Sequence, residues 1–227
     1  MILEEKDLLL PLLFSLIVKM SSAYKPLFLV LLTLSLANSL WAQSAPTIDV
    51  SNVRFDRIGN DWIMATVEIT PDRNPSPEAR DEDFLDDVVL TLNLCYEVDN
   101  LPNGESGYDF YQSTVRIVSI EQSKRYAIYF FLPGVIQDRD DLDSDPFAWL
   151  IEMEVAGQKV PMAEDQADGE IQKTPEGYEN FLSQARSSAA ANDGILVPSY
   201  LAPWYVLNSA RLRTTEIPAF YRFEPRN

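Results

Sequence analysis

The chain has 227 residues and a formal net charge of −17 at pH 7, with no histidine and one cysteine. These counts exclude a Ser-His-Asp triad, a histidine-ligated zinc site, an internal disulfide and a CxxC redox pair. The acidic balance disfavours binding to a nucleic-acid backbone over most of the surface.

The N-terminus has the layout of a secretory signal peptide. Leu8–Val18 and Leu27–Ala37 are apolar runs of about 11 residues, too short for a bilayer, which needs about 20. Met20 followed by Lys25 and the second run gives a well-proportioned signal, so we assign residues 1–42 to a signal peptide whose true start is Met20. The alternative is a two-segment membrane hairpin. No cysteine lies near the end of the second apolar run, which excludes a lipoprotein anchor, so we expect an exported chain without a membrane anchor after cleavage.

The mature chain, residues 43–227, reads as one domain built mainly of β-strands. Alternating apolar residues and turn signals predict strands, which we place at Thr47–Ile58, Asp61–Thr70, Val88–Val98, Tyr108–Ile120, Arg125–Leu132, Phe147–Val155 and Lys159–Met162. Gly59-Asn60 is a two-residue hairpin signal, and Pro71 is expected to end the second strand. Cys95 lies in a strand pattern and is expected to be buried and inert.

One amphipathic helix stands out. Thr174 is a candidate N-cap and Pro175 suits the first helical position. Tyr178, Phe181, Leu182, Ala185 and Ala189 form one apolar stripe, and Asn192-Asp193-Gly194 is expected to end the helix. A weaker helical turn is expected at Gly134–Leu142. Together these elements predict an immunoglobulin-like antiparallel β-sandwich with one helix. The alternative is an α+β arrangement, a single antiparallel sheet with one or two packed helices.

The C-terminal segment, residues 198–227, differs from the rest. It holds four prolines, six aromatic residues and a net charge of +2, which leaves residues 43–197 at −19. We expect this segment to fold back on its own acidic body and to bury Trp204, Phe220, Tyr221 and Phe223. The alternative is a docking arm for another subunit.

The acidic run from Asp138 to Asp145 is the densest candidate for a metal site. Asp141, Asp143 and Asp145 fall at positions 1, 3 and 5 of a calcium loop, and Glu152 falls at position 12. Pro146 occupies position 6, where the loop needs glycine for its sharp turn. We therefore expect a solvated acidic turn, with no metal and no cofactor.

No catalytic motif is present, and the sequence favours a non-enzymatic protein. There is no glycine-rich phosphate loop, no Gly-x-Ser-x-Gly elbow and no Asp-Thr-Gly motif. The rival class is a carbohydrate-binding module or a wall-acting glycan enzyme, for which the stacking candidates are Trp62, Trp149, Trp204, Tyr108 and Tyr111. The strand patterns favour core positions for Trp62 and Trp149.

The layout resembles a family of pilus-associated, immunoglobulin-like proteins exported by verrucomicrobia. The resemblance covers most of residues 47–225. It rests on the signal peptide, on the Pro-rich aromatic C-terminus and on four segments: the stretch from Ile48–Val50 to Trp62, Ala65–Ile69, Val89–Leu92 and Tyr129–Gly134. It implies a two-sheet sandwich and a role near a type IV pilus or outer-membrane assembly. The sequence lacks the Gly-Phe-x-x-x-Glu junction of a prepilin, so the implied role is that of an accessory protein and not of the filament subunit. The expected partner is a protein of the cell envelope.

Overall fold

The computed structural model describes residues 47–74, 79–99 and 106–222. The described chain forms ten strands: β1 Thr47–Ile58, β2 Trp62–Arg73, β3 Phe84–Val98, β4 Gly107–Glu121, β5 Tyr126–Leu132, β6 Ala148–Val155, β7 Gln158–Lys159, β8 Ala167–Gly169, β9 Val197–Pro198 and β10 Phe220–Tyr221. It forms three α-helices: α1 Gly134–Asp140, α2 Pro175–Ser188 and α3 Trp204–Ala210. Short 3-10 turns lie at Gly59–Asp61, Glu164–Gln166, Ala189–Asn192 and Thr214–Glu216.

The strands form two antiparallel sheets. Sheet A has the order β1-β2-β5-β9, and sheet B has the order β10-β4-β3-β6-β7, with β8 also paired to β6. The expected mainly-β sandwich is therefore confirmed, and the single-sheet alternative is wrong.

The main core lies between the two sheets. Alternation along β2 places Ala65, Val67 and Ile69 on the inner face of sheet A. The same alternation along β3 places Leu90, Leu92, Leu94 and Tyr96 on the inner face of sheet B. Trp149 is partly buried against this core, as the strand pattern indicated.

Each sheet also carries a helix on its outer face. Helix α2 buries Tyr178, Phe181, Leu182 and Ala185 against Cys95, Phe110, Ala148 and Leu150 of sheet B. The predicted stripe is thus confirmed at these four positions, and the backbone N–H of Gly177 donates to the Thr174 hydroxyl over 3.1 Å, as expected of an N-cap. This second contact explains why β6 carries apolar residues on both faces.

Helix α3 covers sheet A in the same way, although the sequence pattern did not predict it. Val206 and Ala210 are buried with Met64, Tyr129 and Phe131. Trp62 is partly buried in the same cluster. No helix in the described ranges is long and apolar enough to cross a membrane.

Several predicted boundaries were wrong: β3 begins at Phe84, β7 is Gln158–Lys159, and helix α2 ends at Ser188. The hairpin after β1 is a three-residue turn, Gly59–Asp61, in which Asn60 and Asp61 both have positive φ. Strand β2 continues past Pro71 to Arg73. Beyond Ile69 only β1 pairs with β2, so the missing N–H of Pro71 falls where one side of the strand has no ladder to complete.

Candidate functional site

The C-terminal segment folds against its own sandwich. Strand β10 pairs with β4 through Phe220 and Ile117, β9 pairs with β5, and α3 packs on the outer face of sheet A. Within the described residues, the segment is therefore held in cis.

The aromatic residues of this segment do not bury as expected. Trp204 is 74% exposed and Tyr221 is 44% exposed, so the prediction for these two residues was wrong. Phe220 is partly buried and packs on Tyr200 at a ring-centroid distance of 5.4 Å. Phe223 lies outside the described residues.

The geometry of helix α3 explains why Trp204 and Tyr205 are exposed. Val206 and Ala210 are one helical turn apart and occupy the buried face. Trp204 and Tyr205 start the helix on the other side, with their rings edge-to-face at 6.2 Å. Leu201, just before the helix, is also exposed. We call Leu201, Trp204 and Tyr205 the aromatic face.

A buried carboxylate fastens the segment to sheet A. Glu68 on β2 is only 5% exposed, yet Oε1 lies 3.2 Å from Nη1 of Arg213. Arg54 and Arg125 approach the same carboxylate at 3.8 Å. The backbone N–H of Arg213 also donates to the Tyr129 hydroxyl over 3.1 Å. One buried negative charge thus faces three half-exposed guanidinium groups, which join the tail to β1, β2 and the start of β5.

A second bond links the tail to sheet B. Arg116 on β4 pairs with Asp87 on β3 and lies 5.2 Å from the ring centroid of Tyr221. The hydrogen bond from the Arg116 guanidinium holds the pKa of Asp87 below its usual range. The ion pair therefore persists at neutral pH and supports the strand that β10 extends.

The acidic run does not assemble the calcium pattern. Asp141, Asp143 and Asp145 are all exposed. Glu152 instead binds Arg186 of helix α2, with Nη2 and Oε1 2.6 Å apart. Among the described residues, no three His, Cys, Asp or Glu side chains are grouped closely enough to hold a metal ion.

A groove of about 400 Å³ opens between helix α2 and sheet B. Tyr108 and Phe147 lie on one wall with their ring centroids 4.9 Å apart. The amides of Gln172, Asn180 and Gln184 also line it. Of the stacking candidates named from the sequence, Tyr108 is half-exposed on this groove, whereas Tyr111 is fully buried.

Cys95 lies at the base of this groove and is buried. Burial raises the pKa of its thiol to about 12, and the charge of Asp109 adds to the shift. At neutral pH the thiol is therefore protonated and a poor nucleophile. This geometry agrees with the expectation of an inert, buried cysteine.

Comparison with known proteins supports the fold but does not assign the chain to a family. No protein-family model matches the chain, and no curated protein matches it significantly. A crystal structure from the verrucomicrobium Akkermansia muciniphila is similar, with a TM-score of 0.54 and 12% sequence identity, over 79% of this chain and 94% of that chain. At this identity the similarity shows a shared β-sandwich architecture.

The sequence analysis did not predict Glu68 on β2 or helix α3 as parts of this site. Glu68 alternates with apolar residues and looked like an ordinary solvent-facing position, because the segment that covers it is more than 140 residues away. Helix α3 has seven residues, about two turns, and follows Pro203, so it is too short to show a clear period. The +2 net charge of residues 198–227 was the one sequence feature that indicated attraction to the acidic body. Arg213, which pairs with Glu68, contributes to that charge.

Proposed function

We propose that the mature chain is an exported, non-enzymatic accessory protein that works by contacting another protein of the cell envelope. The aromatic face is the observation that carries this proposal. An exposed tryptophan beside an exposed tyrosine on a well-packed helix has the composition of a binding hot spot. Solvation of such a patch is unfavourable, and a partner that covers it removes this cost.

The rigidity of the helix beneath it supports the same proposal. Val206 and Ala210 anchor α3 to sheet A, and Arg213 fastens the next turn to Glu68. Trp204 and Tyr205 are therefore held in place before binding, so little conformational entropy is lost when a partner arrives. The absence of histidine and of the three catalytic motifs named above supports a non-enzymatic role.

We further propose that the partner belongs to a type IV pilus or outer-membrane assembly. The signal-peptide layout and the resemblance to exported verrucomicrobial proteins support this finer assignment, and the similar crystal structure comes from a verrucomicrobium.

Site-specific photo-cross-linking in the native host tests the contact function. A benzophenone amino acid at position 204 is expected to give one dominant protein adduct after irradiation. The matched control places the same group at Lys159, an exposed residue of β7 on sheet B. The proposal fails if position 204 gives no adduct, or if both positions give the same set of adducts.

The groove beneath helix α2 favours glycan binding as a second candidate function. Tyr108 offers a half-exposed ring for stacking, and the neighbouring amides offer hydrogen bonds to hydroxyl groups. Calorimetric titration with chitohexaose and with soluble muropeptides tests it. Binding that is lost in Tyr108→Ala and retained in Trp204→Ala would support this candidate. No heat of binding with either ligand would exclude these two classes of glycan.

A further inference from the structure

A second cleft, of about 560 Å³, lies where strand β3 ends and helix α1 passes into the acidic run. Six carboxylates line it: Glu97, Asp99, Asp140, Asp141, Asp143 and Asp145. Arg57 and Arg139 are the cationic residues that line it. We call this feature the acidic cleft. Its lining therefore carries four more negative charges than positive ones.

The two arginines do not neutralise most of these carboxylates. Arg139 is committed to its neighbour Asp140, with nitrogen–oxygen distances of 2.6 and 2.5 Å. Arg57 donates to the carbonyl oxygen of Leu142 over 3.4 Å. Among the described residues, no ion pair reaches Glu97, Asp141, Asp143 or Asp145.

Two buried polar groups in the lining have no hydrogen-bond partner within the described part of the chain. These are the hydroxyl of Tyr96, whose residue is 1% exposed, and Oε1 of Gln137, whose residue is 6% exposed. Most buried polar atoms in proteins are hydrogen-bonded, and leaving one unpaired is unfavourable. The other end of the Gln137 amide is fixed, because Nε2 donates to the Leu142 carbonyl over 2.9 Å. Gln137 lines the acidic cleft, so its Oε1 is a buried, unpaired acceptor beside the carboxylates.

These features together select the chemistry of a ligand. Oε1 of Gln137 only accepts hydrogen bonds, the tyrosine hydroxyl can also accept, and the cleft favours positive charge. A metal ion is a poor match, since the described residues hold no group of three suitable ligands. A guanidinium or ammonium group carries several N–H donors and one positive charge, and satisfies both requirements.

We infer that the acidic cleft binds an arginine or lysine side chain of a protein partner. The inference rests on the proposed function for the source of that side chain, and adds the charge of the partner's surface. The location supports a single interface. A Cβ at Gly134 of helix α1 would clash with the carbonyl oxygen of Asn60, and one at Gly59 would lie 3.2 Å from Cβ of Ser209 on α3. Helices α1 and α3 therefore both rest on the Gly59–Asp61 turn.

The experiment uses acetyl-arginine amide as the probe and acetyl-citrulline amide as its neutral isostere, titrated into the ¹⁵N-labelled mature protein at low salt. We expect saturable shifts of the Gln137 side-chain amide with arginine, and at least tenfold weaker binding of citrulline. Tyr96→Phe should weaken arginine binding about threefold. The exposed pair Asp143→Asn and Asp145→Asn should weaken it at least fivefold, and this pair keeps the test valid if Tyr96→Phe fails to fold.

The matched control removes two charges elsewhere, through Glu179→Gln and Asp193→Asn. These residues are exposed on helix α2 and just beyond it, and arginine affinity should stay within twofold of the wild-type value. Equal binding of citrulline, or an equal loss in the control, would overturn the inference. Spermidine or calcium binding tenfold tighter than arginine would also overturn it, in favour of a free cation.

A final variant separates this inference from the proposed function. Trp204→Ala should leave arginine binding unchanged, since Trp204 does not line the acidic cleft. If arginine fails to bind while position 204 still cross-links one partner, only the assignment of the acidic cleft falls.

Discussion

The thiol of Cys95 gives a direct test of the packing beneath helix α2. With a pKa of about 12, its thiolate fraction at pH 8 is on the order of 10⁻⁴, and burial also blocks access. We expect Cys95 to react with a chromogenic disulfide reagent at least ~100-fold more slowly in the folded protein than in denaturant. The folded-state rate should rise with pH well above 8, because the thiol gains its charge only near pH 12. A Ser187→Cys variant, exposed on the same helix, is the control and should react fast. Equal rates at the two positions would contradict the buried setting.

Glu68 tests the charge cluster that holds the tail. Glu68→Gln keeps the shape of the side chain and removes the charge that three arginines share. We expect the free energy of unfolding to fall by about 1–2 kcal/mol, between the values for exposed and buried ion pairs, because the carboxylate is buried and the guanidinium groups are half-exposed. Urea denaturation measures this change.

The control for this prediction is Glu179→Gln, an exposed residue of helix α2. It should change stability by less than about 0.5 kcal/mol. An equal effect of the two substitutions would contradict a stabilising role for the ion pairs of Glu68. High salt should reduce the difference in unfolding free energy between the wild type and Glu68→Gln, because salt screens the charges of the partly solvated arginines.

Substitutions on the two sides of helix α3 are expected to differ in their effect on stability. Val206 is fully buried, whereas Trp204, two residues earlier and on the opposite side of the helix, is mostly exposed. Val206→Ala removes two buried methyl groups and should cost about 2 kcal/mol of unfolding free energy. Trp204→Ala should cost less than about 0.5 kcal/mol. Thermal and urea denaturation of both variants checks the pair. The orientation of α3 is wrong if Trp204→Ala proves the more destabilising change.

The longer elements were predictable because their patterns are local. Alternation in β2, β3 and β6 and the stripe of α2 each follow from residues that adjoin in sequence. Strands β8, β9 and β10 have two or three residues, too few for any period to appear. The continuation of β2 through Pro71 depends on pairing with β1 on one side and, within the described residues, on the end of β5 pairing at Ile69 on the other, which only the assembled sheet shows. The exposure of Trp204 likewise depends on Val206 and Ala210 taking the buried face.

At the scale of the whole molecule, an acidic sandwich carries a helix on each outer face and a basic tail across one of them. The prediction that the C-terminal segment folds onto the body is confirmed for the backbone of residues 198–222, the part of it that the structure describes. It was wrong for the rings of Trp204 and Tyr221, because aromatic composition alone does not say which side of a short helix faces the sheet. Glu152, at position 12 of the calcium spacing, lies on β6 and binds Arg186 of helix α2.

Export remains a prediction, and residues 1–42 lie outside the described ranges. We expect the protein isolated from its native host to begin at Gln43 or Ala45, because either cut follows a small residue. N-terminal sequencing of that material measures it. Retention of Leu27–Ala37 would contradict the signal peptide and favour a membrane-attached chain.

The most direct test of the contact function is the affinity of the protein that cross-links at position 204, measured by calorimetry with purified components. The account predicts that Trp204→Ala weakens binding at least tenfold, about 1.4 kcal/mol, while the melting temperature stays within a degree or two. The variant Lys159→Ala should bind like the wild type. Unchanged affinity in Trp204→Ala would contradict the account, because the exposed tryptophan would then take no part in the contact.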